Sequence, residues 1–229
     1  MVAPAGLVLA IDTASSEAVV AIGTSAGVVL ASESWTAGYR HGEELLARID
    51  ALLSSADVPV GSLGGLVVGT GPGAFTGLRV GLATAKGLAV GLELPLAGLS
   101  SAVVIAAAAA DAGPALAGRR FAVLLPAGPS ERTLVLDGVA TRLRAGEEPE
   151  LPDGAVLVAL DLAGRAPDDA VIRGAAARRG FAAALVRLGA ERLAGSDGDD
   201  VAHLVPEYVT PPRGVPTAHG EVAWSRTRG

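Results

Sequence analysis

The sequence contains no cysteine. That excludes disulfides, thiolate zinc sites, iron–sulfur clusters and cysteine nucleophiles. Aromatics are scarce as well, with Trp 2, Tyr 2 and Phe 3 in 229 residues. The core must therefore be aliphatic, built from Ala, Val and Leu. Three histidines (His41, His203, His219) are too few to favour a polyhistidine metal centre. Positive charge is in deficit: the net charge is −6, which argues against a broad basic surface for nucleic acid. The apolar start Met1–Ile11 carries no Lys or Arg, and Asp12 closes it early, so a first strand is expected there and not a leader. The longest uncharged apolar stretch, Leu94–Ala110, is broken by Pro95, Gly98, Ser100 and Ser101. It falls short of the roughly 20 residues a spanning helix needs. The expectation is a soluble cytoplasmic protein with no membrane contact. What is abundant is apolar content: half the residues are hydrophobic, enough for a chain of this length to bury a core.

The hydrophobic pattern changes period along the chain. Leu7–Asp12, Ala18–Gly23 and Val28–Ser34 are short β-rich runs separated by Gly, Ser and Thr, which predicts antiparallel hairpins. Leu45, Leu46, Ile49, Leu52 and Leu53 then recur at helical spacing, predicting an amphipathic helix over His41–Ser55 with Glu43 and Glu44 near its positive end. Gly65–Gly69 reads as a buried strand. A Gly-Pro-Gly loop follows, then a helix to Leu92, a strand at Pro95–Gly98 and a third helix to Asp111, capped by Ser100 or Ser101. The Gly- and Pro-rich stretch Ala112–Arg120 marks a lobe boundary. Beyond it, strands are expected at Phe121–Leu125, Thr133–Leu136, Ala140–Leu143 and Val156–Leu160, a helix at Ala182–Leu193, and a short strand at Tyr208–Val209. The predicted organisation is an N-terminal lobe (1–111), a degenerate C-terminal lobe (112–209) and a mobile tail (210–229).

Two features carry candidate chemistry. The first is Asp12 and Thr13, with Gly71 and Gly73 of the loop Gly69-Thr-Gly-Pro-Gly-Ala74. A strand, a glycine turn and a helix start form an anion cradle. The loop lacks the Gly-Lys-Ser/Thr of a P-loop, because Leu78 follows Gly77. It matches the dinucleotide fingerprint only literally, with Glu93 ahead of its strand. Asp12 would either hold a metal–phosphate complex or make an Asx turn. The second feature is the helix after that loop. Gly77, Gly81, Ala85 and Ala89 form a bare stripe that lets another backbone approach closely, while Arg79 and Lys86 share a face. The stripe is buried either inside this chain or against a partner. Ser100, in Gly-Leu-Ser-Ser-Ala, resembles a hydrolase elbow without its last glycine. Asp161 and His203 are its only plausible later partners, and a helix cap is the preferred reading. His41 and His203 read as surface or loop residues, and Asp197–Asp200 lacks the spacing of a calcium loop.

The string from Val67 to Ala89, with Ala10-Ile-Asp-Thr13 at the front and His41-Gly-Glu-Glu-Leu-Leu46, resembles the TsaB (YeaZ) family. That family assists the bacterial modification of tRNA to threonylcarbamoyladenosine. The resemblance covers residues 7–105 and returns at Pro206-Glu-Tyr-Val209. It implies an α/β fold of two lobes of the actin-like ATPase (ASKHA) class, each RNase H-like with a mixed sheet. It implies a non-catalytic scaffold that dimerises through its first two helices with the metal-bearing transferase subunit TsaD. A homodimer when that partner is absent, docking of a TsaE-type ATPase and only indirect contact with tRNA are also implied. The catalytic paralogue's His-x-x-x-His pair aligns here with Ser101 and Ile105, so no metal, cofactor or transfer chemistry is expected of this chain. Pro126-Ala-Gly-Pro-Ser-Glu-Arg-Thr133 stands where the family has an Asp-Ala-Arg stretch.

The partner surface expected on this basis comprises His41, Leu45, Ile49 and Leu52 on the first helix, and Leu78, Arg79, Gly81, Leu82, Ala85 and Lys86 on the second. These residues would lie at or behind the contact. The alternative is an independent nucleotide-binding enzyme using Asp12 and the Gly71–Gly73 loop.

Overall fold

The computed structural model describes residues 6–36, 41–195 and 198–209. The expected tail, 210–229, lies outside the described residues, as does Asp197.

The first strands, β1 (Leu7–Asp12), β2 (Glu17–Thr24) and β3 (Val29–Thr36), pair antiparallel as their short polar turns predict. The chain then crosses through α1 (His41–Ser55) to β4 (Leu63–Gly71), and through α2 (Phe75–Leu92) to β5 (Leu96–Ser100). β4 runs parallel to β1, and β5 runs parallel to β4. The sheet order is β3-β2-β1-β4-β5. α3 (Ser101–Asp111) follows. In the second half, β6 (Phe121–Pro126), β7 (Arg132–Leu136), β8 (Val139–Leu143) and β9 (Val156–Ala159) form a second mixed sheet, ordered β8-β7-β6-β9. These two mixed sheets with helices bear out the α/β class.

The strand period of two divides the first sheet's side chains between two cores. Leu9, Ile11, Val20, Ile22, Leu66 and Val68 face α1 and α2. Val8, Ala10, Val19, Ala21, Val67 and Ala97 face the other way, into a core shared with α3, α4 and the strands β6, β7 and β9. One apolar cluster thus crosses the Ala112–Arg120 stretch and joins both sheets.

The largest difference from expectation is α4, which runs from Asp168 to Ala194 instead of starting at Ala182. The buried face of its first half is mostly small, with Ala170, Gly174 and Ala177 ahead of Phe181, while Leu185, Val186 and Leu193 join Ala184, Gly189 and Ala190 in the second half. A Cβ at Gly174 would sit 1.9 Å from the Ala159 carbonyl oxygen on β9, and one at Gly189 would sit 2.3 Å from Val67 Cγ2 on β4. The helix therefore lies close against both sheets, and Gly174 and Gly189 trade intrinsic helix propensity for that approach. Small residues leave little hydrophobic signal, which is why its first half was not legible as a helix.

Tyr208–Val209 is not a strand. Residues 198–209 form an irregular strap laid over the ends of β4 and β5. Asp199 N–H donates to Leu96 O (2.7 Å), and Glu207 N–H donates to Thr70 O (2.8 Å). Among the described residues, no helix is long and apolar enough to cross a membrane.

Candidate functional site

Asp12 ends β1 and is 2% exposed. Its Oδ1 accepts the Ala14 N–H (2.8 Å), closing an Asx turn. Its Oδ2 accepts the Ser101 hydroxyl (2.6 Å), and Ser101 Oγ in turn accepts the Gly71 N–H (3.2 Å). Thr13 Oγ1 donates to Gly77 O (2.7 Å), and Ala74 N–H donates to Ala14 O (2.7 Å). These bonds tie the β1 turn to the start of α2 and to the first residue of α3. Gly71 has φ +100°, a conformation open to glycine, and the Gly71–Pro72 bond is cis.

The Gly71–Gly73 loop is therefore close-packed, not an open cradle. A Cβ at Gly73 would lie 2.1 Å from Ala14 O. The amides of Gly71 and Ala74 are already engaged, and the Asp12 carboxylate is buried behind them. Of the groups named for the nucleotide alternative, Asp12, Thr13 and the Gly71 amide are hydrogen-bonded within the chain.

Burial pushes the Asp12 carboxyl above its ordinary value of 3.8, and the bonds from Ser101 and Ala14 offset this only in part. A raised carboxyl contributes stability that is complete below pH 3.8 and is lost as pH rises through its folded-state value. Asp12→Asn removes the buried charge and keeps the acceptor for Ala14. We expect its melting temperature to exceed that of the parent increasingly as pH rises, by about 2–4 °C for each kcal/mol relieved. The two melting curves should converge below pH 3.8. A pH-independent difference between them would show that ionisation of Asp12 is not the cause.

Beside the loop lies a cleft of about 570 Å³, walled by the β1–β2 turn, the start of α2, the β6–β7 turn and the strap. Phe75 and Tyr208 meet at its rim, ring centroids 5.3 Å apart. The Arg79 guanidinium lies 3.8 Å from the Phe75 centroid, and its Nε donates to Tyr208 Oη (2.8 Å). Arg79, expected at a partner surface, is thus held by this chain's own strap. Glu207 accepts hydroxyls from Thr70 (2.5 Å) and Ser100 (3.1 Å). On the opposite wall Asp161 accepts the Ser16 N–H (2.9 Å) and hydroxyl (2.7 Å) and pairs with Arg178, which also reaches Glu17.

Ser100 stands at the N-cap of α3 but makes no side-chain cap bond; its hydroxyl turns to Gly71 O and Glu207. Asp161 is bound up with Ser16 and Arg178, and the His203 ring bonds Asp200 (2.6 Å), so no hydrolytic triad assembles around Ser100. Asp200 is lowered by that His203 contact, as an exposed loop pair would be. Ser101 and Ile105, the positions aligned with the paralogue's imidazoles, are 1% and 2% exposed; Ser101 is bonded to Asp12 and Ile105 lies in the apolar core.

The helix pair gives a clearer division. Leu45, Ile49, Leu52, Leu78, Gly81, Leu82 and Ala85 are all buried within the chain. They stand behind any contact and not at it, because their stripe packs on the sheet. A Cβ at Gly81 would lie 2.2 Å from Thr13 Oγ1. Lys86 is half-buried, and the His41 side chain lies outside the described residues. The outward face carries Leu46 (57% exposed) and Ala47 on α1, and Ala83, Gly87, Val90 (69% exposed) and Gly91 on α2. A Cβ at Gly87 or Gly91 would meet nothing within 4 Å. Sequence reasoning missed this second small-residue row. Its signal was present, since 83, 87 and 91 repeat every four residues half a turn from the first stripe.

Comparison with known proteins gives four findings. The family model described as "TsaD: tRNA N6-adenosine threonylcarbamoyltransferase" matches residues 35–141. The tRNA threonylcarbamoyladenosine biosynthesis protein TsaB of Escherichia coli is 34% identical over 99 residues, 43% of this chain and 42% of that protein. TsaB of Bacillus subtilis is 32% identical over 100 residues, 44% of this chain and 43% of that protein. The chain thus spans under half the length of these curated relatives. YeaZ from Pseudomonas aeruginosa superposes with a TM-score of 0.69 at 23% identity, over 89% of this chain and 100% of that one. The curated matches carry the TsaB/YeaZ resemblance in sequence, and the superposition shows the same fold.

Proposed function

We propose that this chain, TsaB/YeaZ-like in sequence and fold, is an accessory subunit of tRNA threonylcarbamoyladenosine biosynthesis. It pairs with a TsaD-type transferase subunit through the outer face of α1 and α2 and performs no transfer chemistry itself. The observation that carries the reading is the outward row Leu46, Ala83, Gly87, Val90 and Gly91. It is apolar and small, and nothing else among the described residues covers it. Small residues let a partner helix come close, and Leu46 and Val90 supply apolar area to bury. The pairing lobe is taken as residues 1–111 and the second lobe as 112–209. The same face would close a homodimer when the transferase is absent. A TsaE-type ATPase would dock on the pair, and tRNA would be held mainly by the partner, since this chain's net charge is −6.

The assignment of no transfer chemistry is supported by the placement of Ser101 and Ile105. Both are buried and engaged where the paralogue presents imidazoles. The test is reconstitution. Co-expressed with the TsaD-type subunit, the chain is expected to co-purify at one-to-one stoichiometry. Adding it should raise tRNA modification from near background, while the chain alone yields none. Modification of equal rate without the chain would overturn the accessory role.

A further inference from the structure

Between Phe75 and Leu92, α2 carries no Asp or Glu, although the whole chain has a net charge of −6. Its two cations, Arg79 and Lys86, stand seven residues apart, and neither is paired with a carboxylate among the described residues. At roughly 100° per residue, positions 75, 79, 83, 86 and 90 fall within about 80° of arc on one side of the helix. Phe75, Arg79, Ala83 and Val90 are exposed there, and Lys86 is half-buried. Arg79 is thus continuous with the small apolar row. It is also held in place. Its guanidinium lies 3.8 Å from the Phe75 ring centroid and 5.7 Å from that of Tyr208, and its Nε donates to Tyr208 Oη (2.8 Å). The strap that carries Tyr208 is anchored in turn, because Glu207 accepts the Thr70 and Ser100 hydroxyls. An exposed arginine ordinarily loses rotamer freedom when a partner takes it; this one is ordered beforehand.

We propose that Arg79 is the specificity-determining charge of the partner face, that it receives a carboxylate from the transferase-type subunit, and that Tyr208 is the positioning residue that presents it. The inference rests on the accessory reading and adds the chemistry of the partner: the surface that crosses α2 is acidic, with carboxylates opposite Arg79 and Lys86. The Tyr208 hydroxyl occupies Nε, so the terminal amino groups of Arg79 are the donors left for a carboxylate. Arg and Tyr are among the residue types that carry most of the energy of protein interfaces. A fixed cation beside an apolar row steers an acidic surface onto the face and rejects a basic one. The neighbouring α1 has the opposite sign, with Glu43 and Asp50 exposed and also seven residues apart. The face is therefore split, basic on α2 and acidic on α1. Such a split favours one orientation of the partner and penalises the reverse.

The test measures the affinity of the full-length chain for the purified transferase-type subunit at low and high salt. Arg79→Glu combined with Lys86→Glu is expected to weaken pairing by about 100-fold at low salt. As salt rises, pairing of the parent should weaken, whereas that of the reversed variant, now repulsive, should strengthen. Lys86→Glu alone, away from the strap, gives the same change of salt dependence at smaller amplitude, and keeps the readout if loss of Arg79 loosens the strap. Tyr208→Phe keeps the ring and removes the acceptor for Nε. It should weaken pairing about 3- to 5-fold in the parent and add nothing to Arg79→Ala. An equal loss in both backgrounds would overturn the positioning role of Tyr208. Gly87→Trp, placed in the same apolar row, separates this inference from the reading beneath it. If Gly87→Trp blocks pairing while the charge-reversed chain pairs like the parent with unchanged salt dependence, the charge of α2 plays no part and this inference falls alone. If neither variant alters pairing, the outer face is not the contact and both fall.

Discussion

Gly87→Trp is expected to abolish pairing with the transferase subunit while leaving the chain folded, whereas Gly81→Leu is expected to unfold it. The two glycines are six positions apart on α2, and Gly81 is buried while Gly87 is exposed. Gly81 packs on Thr13, with 2.2 Å between a built Cβ and Thr13 Oγ1. Any larger side chain must push Thr13 off Gly77 O, breaking a buried hydrogen bond beside the Asp12 turn. Overpacking costs about 1–3 kcal/mol. A stranded buried polar group adds about 1–3 kcal/mol more. Together these are a large share of the stability of a single domain. Gly87 meets nothing within 4 Å, and replacing an exposed helical glycine gains about 0.5–1 kcal/mol in propensity. Its melting temperature should therefore be unchanged or higher. A bulky indole in the centre of a close helix contact should weaken pairing by at least about 100-fold, equivalent to about 2.7 kcal/mol. Thermal melts and sedimentation with the purified partner separate the two effects. If Gly87→Trp pairs like the parent, the outer face is not the contact. If Gly81→Leu folds normally and alone loses pairing, the inward stripe is.

The same pair of glycines shows how far the sequence could be read. Four-residue spacing announced that α2 approaches something closely, and the loop before it announced where the helix begins. Spacing alone could not choose between the row 77/81/85/89 and the row 83/87/91, because both are small and the helix is apolar nearly all round. The choice is made by Thr13, which is 64 residues away from its partner Gly77. Local pattern was a good guide in the short apolar runs of β1 and β2, in β3 and in α1, where large apolar residues recur at helical spacing. It failed in the first half of α4, where the buried face is Ala and Gly. It failed again at the strap, whose form depends on Thr70, Ser100 and Arg79 receiving Glu207 and Tyr208 from more than 100 residues away. Asp12 was legible as a turn residue. That its second oxygen is held by Ser101, 89 residues on, was not. Backbone hydrogen bonding and periodicity are local properties, whereas the knot that shuts the Gly-Pro-Gly loop is a meeting of three distant segments.

That knot sets the second large effect. Gly69→Ala is expected to destabilise the chain by about 3 kcal/mol or more, beyond the usual range for a single substitution. The added Cβ would sit 1.8 Å from Asp12 Oδ2 and 2.8 Å from Ser101 Oγ. A long surface side chain would swing aside at little cost. Asp12 cannot, because it is short, buried, and fixed by Ala14 on one oxygen and Ser101 on the other. Displacing it leaves a buried carboxylate short of a donor, breaks the link from β1 to α3, and frees the Gly71 amide that Ser101 receives. Gly61→Ala is the matched control, since a Cβ there meets nothing within 4 Å. Denaturant titration of both variants checks the prediction, with the midpoint falling sharply for Gly69→Ala and barely moving for Gly61→Ala. Ser101→Ala separates the two contributions to the knot. It removes the donor to Asp12 without introducing a clash, so its loss should be smaller than that of Gly69→Ala and should grow with pH as the unsupported carboxyl ionises. If Gly69→Ala is as stable as the control, Asp12 has room to move. The Gly71–Gly73 loop would then not be locked, and the cleft beside it would regain the backbone donors that an anionic ligand requires.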